Sequence, residues 1–123
     1  MTAAWIGPSA NTPVVAQTQL DVTCFEDSDD FLLSLAPYDF ALYVIDLAQQ
    51  GVGSQDLIRL LRRRTRAGIV ALCDDASDAE MAGALELGAD MALPCTASPT
   101  LLRAAVHAVQ RRVSQTQSAA VQP

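Results

Sequence analysis

Five short apolar runs recur along the chain, each separated from the next by enough residues for a helix. They read AAWI (3–6), VTCF (22–25), FALYVIDL (40–47), GIVALC (68–73) and MALPC (91–95). A half-exposed strand alternates apolar and polar residues. Continuous runs of this length instead fit buried strands covered on both faces, as in a parallel sheet. Parallel neighbours need long crossovers, and the stretches between the runs supply helices for them.

The helix signals are specific. Ser28 is read as the cap of a helix over Asp29–Ala36, stopped by Pro37. Ser54 precedes QDLIRLLRRRTR, with Leu57, Ile58, Leu60 and Leu61 on one side and arginines opposite. Ser77-Asp78-Ala79-Glu80 forms a capping box before MAGALEL, and Gly88 stands at the expected C′ position. Ser98-Pro99 opens TLLRAAVHAVQRRV as cap and first helical residue. Residues 11–19 hold the first helix, short or distorted because of Pro13 and few apolar residues. The order predicts a β-α unit repeated five times, one doubly wound α/β domain over residues 1–113. The segment 114–123, SQTQSAAVQP, reads as a polar tail or linker. Trp5 is expected to pack the first strand.

Composition excludes several functions. The 123 residues amount to one domain, and a net charge of −6 argues against nucleic-acid binding by the domain itself. The basic run Arg62-Arg63-Arg64 with Arg66 is read as the solvated end of a helix, suited to its dipole. The three cysteines, Cys24, Cys73 and Cys95, form no CxxC pair, and the single histidine leaves little for a triad or metal cluster. No run reaches the ~20 apolar residues of a membrane span, and the first residues lack the pattern of a signal peptide. A cytoplasmic location is therefore expected. In doubly wound sheets the functional site lies outside the carboxyl ends of the strands. Here those ends are Gly7 and Pro8, Asp46, Cys73 and Cys95.

Three segments carry a resemblance. VIDL with QGVGSQDLIRLLR, then ALELGADMAL, then CTASPTLLRAAVHAVQRR are similar to the receiver domain of bacterial two-component response regulators, without gaps from about Ser28 to Arg112. The resemblance implies a flavodoxin-like fold, a five-stranded parallel sheet of order 2-1-3-4-5 flanked by helices. It puts Asp46 at the phosphoacceptor position. It also implies an acidic pair after the first strand to hold Mg²⁺, a hydroxyl after the fourth and a lysine after the fifth. Those positions read Gly7-Pro8-Ser9, Cys73 and Cys95, and the chain contains no lysine. The family's switch aromatic is Ala92 here, and the proline after the lysine is Thr96.

One residue of the phosphorylation set thus survives, and the chain resembles a degenerate, or pseudo-, receiver. Without a metal site or charge clamp, phosphoryl transfer loses several kcal/mol of transition-state stabilisation. The reading is therefore a non-enzymatic signalling module, independent of phosphorylation, with Mg²⁺ binding absent or weak and no other metal or cofactor. Asp46, probed as a relic, is expected to be partly exposed. The partner is another protein or a second copy. Family members usually pair through a face that carries Ala82, Ala92, Arg103, His107 and Arg111 here. An output domain regulating transcription can follow the tail. Two alternatives stay open: a working phosphorelay receiver at Asp46, and a thiol redox sensor in which Cys73 and Cys95 converge.

Overall fold

The computed structural model describes residues 2–7, 21–47, 54–73 and 78–121. In chain order the elements are β1 (Thr2–Ile6), β2 (Asp21–Phe25), α1 (Ser28–Leu32), β3 (Leu42–Asp46), α2 (Ser54–Arg64), β4 (Gly68–Cys73), α3 (Asp78–Leu87), β5 (Met91–Pro94) and α4 (Pro99–Val121). The five strands form one parallel sheet in the order β2-β1-β3-β4-β5. This is the doubly wound order expected from the sequence. The helix expected at 11–19, the loop 48–53 and the cap Ser77 lie outside the described residues.

The apolar runs form the two cores that their lack of alternation demands. Along β3, Tyr43 and Ile45 face one way and Leu42 and Val44 the other. The first face joins Phe31 of α1, Leu57, Ile58 and Leu61 of α2 and Ala84 of α3. The second carries Trp5 and Val70 under Leu102, Val106 and Val109 of α4. Each β3 and β4 residue is thus buried whichever way it points, except at the strand ends. The two edge strands are less covered: β5 is half-buried except at Leu93, and VTCF is the more open. β2 is an edge strand in which Thr23 and Cys24 are exposed and Val22 and Phe25 half-buried.

Several helix boundaries differ from the sequence reading. Asp27, not Ser28, caps α1: its backbone is extended and its carboxylate accepts the Asp30 amide at 2.8 Å. The helix ends at Leu32 instead of Ala36. Only Phe31 of α1 reaches the core, and a helix without an apolar stripe has little packing to extend it. The last helix, read as ending at Val113, continues to Val121. Its start is as read, with the Leu101 amide on Ser98 Oγ at 3.2 Å and the Leu102 amide on the Ser98 carbonyl at 3.0 Å. Gly88 (φ 128°) ends α3 as read, and its amide donates to Leu85 and the Ala89 amide to Ala84.

The turn that Gly88 creates delivers Asp90 to the junction of α2, β4 and α4. Asp90 Oδ2 accepts the Ile69 amide at 2.8 Å and Arg62 Nη2 at 3.0 Å, and Oδ1 pairs with Arg112. The Asp90 amide in turn donates to the Ile69 carbonyl. Arg62 also donates to the carbonyls of Gly88 at 2.9 Å and Ala67 at 3.2 Å. Arg62 is therefore not part of a solvated run; it is half-buried, and burial lowers its pKa. One carboxylate joins α2, β4 and α4.

The Asp90 side chain is 10% exposed and that of Arg112 59%, so the partners should contribute unequally. Asp90→Ala strands the Ile69 amide and Arg62 together and should cost about 3 kcal/mol. Arg112→Ala should cost under about 1 kcal/mol. Urea unfolding of both variants measures the ratio; equal losses would contradict this division.

Candidate functional site

The carboxyl ends of the strands bring the sequence candidates to one edge of the sheet. β1 runs into Gly7, which is buried and held by its amide donating to the Phe25 carbonyl at 2.8 Å. Its φ is 139°, a backbone conformation that side chains resist. A Cβ at this position would lie 2.6 Å from Asp46 Cβ at the end of β3. The missing side chain at position 7 is thus the condition for Asp46 to sit where it does. Asp46 is half-buried, the partial exposure anticipated for it. Pro8 lies outside the described residues.

Cys73 and Cys95 end neighbouring strands, but they do not converge as the thiol reading requires. In register Cys73 pairs with Pro94, and the Cys95 amide donates to the Cys73 carbonyl at 2.8 Å. Cys73 belongs to the core on the α2 side, whereas Cys95 packs against the core on the α4 side. The physical reason is the strand period: residues of opposite parity point to opposite faces. All three cysteines are free, with Cys73 buried, Cys95 half-buried and Cys24 exposed. Burial pushes the Cys73 thiol up to about 11, with Glu80 and Cys95 adding to the rise. A buried thiol held neutral is a poor nucleophile and a poor metal ligand. Among the described residues no three His, Cys, Asp or Glu side chains cluster as metal ligands would.

The proposed pairing residues lie elsewhere. Ala82 is exposed on α3, and Ala92 is half-buried in β5 against the α2-side core. Arg103, His107 and Arg111 follow one another at a spacing of four on α4, with the arginines exposed and His107 half-buried. The reading from sequence missed the Arg62–Asp90–Arg112 cluster. A signal was present: Arg62 stands four residues after buried Ile58, on the margin of the apolar stripe.

No family model and no curated protein matches this sequence. Solved structures do match it. The BeF3-activated receiver domain of RstA from Klebsiella pneumoniae is 23% identical with a TM-score of 0.78, over 90% of this chain and 99% of that one. The signal receiver domain of a putative LuxO repressor from Vibrio parahaemolyticus is 13% identical with a TM-score of 0.82, over 96% and 95%. NtrX from Brucella abortus, crystallised with ADP, is 9% identical with a TM-score of 0.83. The match covers 97% of this chain but spans only 28% of the NtrX chain. At these identities the likeness is one of fold: the chain has the receiver, or CheY-like, fold.

Gly7→Ala should cost about 3 kcal/mol, from the unfavourable φ and the contact with Asp46. Combining it with Asp46→Gly should return the contact share, seen as a favourable coupling in a double-mutant cycle. Additive losses would mean that the two positions do not press on each other.

Cys24 should react rapidly with a thiol reagent in the folded protein, and Cys73 only on unfolding. Folding also raises the pKa of Cys73 from 9.0 to about 11 and, through burial above all, that of Tyr43 from 10.0 to about 12. Folding holds both acids neutral, so the folded state binds more protons in these windows. Stability should be whole below about pH 9 and fall as pH rises through 11 and 12, with Cys73→Ala removing the earlier part. A flat alkaline limb in urea titrations would contradict this.

Proposed function

We propose that this chain is a receiver-type signalling module that acts by protein contact and does not depend on phosphorylation. One observation carries the reading. Where an acidic metal ligand would be needed, the chain has Gly7, and a side chain there would run into Asp46 within 2.6 Å. A carboxylate cannot approach a phosphoryl group without a counter-charge. With Gly7 on one side, Cys95 in the lysine position and no lysine in the chain, that counter-charge has no source among these positions. Asp46 then serves the fold rather than chemistry, and neither Mg²⁺ nor another cofactor takes part.

The remaining assets of the fold are its surfaces. The Arg103–His107–Arg111 stripe with Ala82 and Ala92 offers one pairing face for a second copy or a partner protein. A following output domain would make the contact a means of regulating transcription, with the module itself binding no nucleic acid. The cytoplasm is the compartment that suits such a role.

Incubation of the reduced chain with acetyl phosphate and Mg²⁺, followed by intact-mass measurement, tests this directly. The mass should stay unchanged, as in an Asp46→Ala control. A single phosphoryl group present in the wild type and absent from the control would overturn the reading and establish Asp46 as an acceptor.

A further inference from the structure

Arginines gather at the end of the molecule where the strands begin. Tyr38 stands shortly before β3, Ala67 just before β4 and Asp90 just before β5, so all three mark the amino ends of the strands. Each of them holds an arginine. The Arg64 guanidinium lies over the Tyr38 ring, 5.4 Å from its centroid. Arg62 donates to the Ala67 carbonyl and to Asp90, and Arg112 reaches Asp90 from the opposite layer. Arg63, Arg66 and Arg111 are exposed beside these anchors.

Positive charge is in excess at this end. Two guanidiniums share the one carboxylate of Asp90. Asp21, Asp39 and Glu86 are exposed, and among the described residues none of them pairs with an arginine. The carboxyl end of the sheet carries the opposite sign, with Asp27 and Asp30 after β2, Asp46 ending β3, and Asp56 and Asp78 in the first turns of α2 and α3. Helix dipoles sort charge in this sense, because the crossover helices start at the carboxyl end and finish at the amino end. That effect is confined to the terminal turns. It does not account for Arg66, which lies beyond α2, or for Arg111 and Arg112, which stand well inside α4.

We infer that this amino end, presenting Arg63, Arg64, Arg66, Arg111 and Arg112, docks an acidic segment of a partner protein. The inference rests on the reading of the chain as an interaction module and deepens it by naming the chemistry of the partner. Guanidiniums bind carboxylates through directed, charge-assisted hydrogen bonds, and Arg62 and Arg112 already hold one carboxylate here. A short acidic segment suits this end better than nucleic acid does. The chain as a whole carries −6, so an extended polyanion meets repulsion from the rest of the surface. A short segment senses only the charges within about 10 Å of it.

Fluorescence anisotropy of a short labelled poly-glutamate peptide, titrated with the full chain, tests the inference. The wild type should bind, and more weakly as salt is added. Arg63→Glu with Arg66→Glu should weaken binding at least about tenfold. Both side chains are exposed, and urea unfolding of the variant verifies that the fold is kept. Arg103 lies about 14 Å earlier along α4 than Arg112, beyond the screening length. Arg103→Glu should therefore leave binding within about twofold, whereas Arg66→Glu, an equal change of charge, should not. A wild type that fails to bind overturns the inference and leaves the module reading to another surface. Equal losses from Arg103→Glu and Arg66→Glu overturn the location. A short DNA duplex that binds more tightly than the peptide overturns the class of partner. A wild-type oligomer in sedimentation equilibrium that Arg63→Glu with Arg66→Glu dissociates would put the acidic end of a second copy there and overturn the separate partner. A phosphoryl group on Asp46 would overturn the module reading without changing the peptide titration.

Discussion

A single carboxylate organises one side of this fold. Asp90 stands between the end of α3 and the start of β5, and it binds a strand amide and two guanidiniums from separate helices. Its low exposure makes the arrangement unforgiving, because a buried charge without its partners is costly. The same contact explains why Arg62 leaves the company of its neighbouring arginines. Its guanidinium satisfies the carbonyls of Gly88 and Ala67 as well, so the side chain closes the gap between α2 and the turn before β5. Gly88 is required on both counts: its positive φ makes the turn, and a Cβ would meet Arg62 Cγ at 2.8 Å.

The opposite edge of the sheet is built on a different constraint, the absence of a side chain. Gly7 lets β1 and β3 end close together, and Asp46 lies in the room so left. The constraint lies in the backbone conformation as well as in the contact, since a φ of 139° disfavours any residue with a Cβ.

Receiver-type folds ordinarily offer a signalling protein two things, a chemical site and a set of exposed helix faces. For this chain we propose the second. The buried, neutral thiol of Cys73 and the separation of Cys73 from Cys95 across the sheet also weaken the redox alternative. What remains conspicuous is surface: an arginine and histidine stripe on α4, and leucines left bare after the short helix α1.

The sequence by itself determined the sheet. Continuous apolar runs need cover on both faces, and the caps at Ser98 and Gly88 punctuate their helices by local chemistry that acts within a few residues. Asp46 at a strand end and the absence of lysine were likewise legible, because they depend only on position along the chain. Tertiary structure alone decided the rest. Whether VTCF is covered depends on β2 lying at the edge of the sheet, and the length of α1 depends on how many of its leucines find a core. The faces of Cys73 and Cys95 follow from inter-strand register, which no run of residues records. Arg62 and Arg112 meet Asp90 across separations of 28 and 22 residues, and the closeness of Gly7 to Asp46 arises only when β1 pairs with β3. Contacts between residues distant in the chain are set by packing, and packing is a property of the assembled sheet.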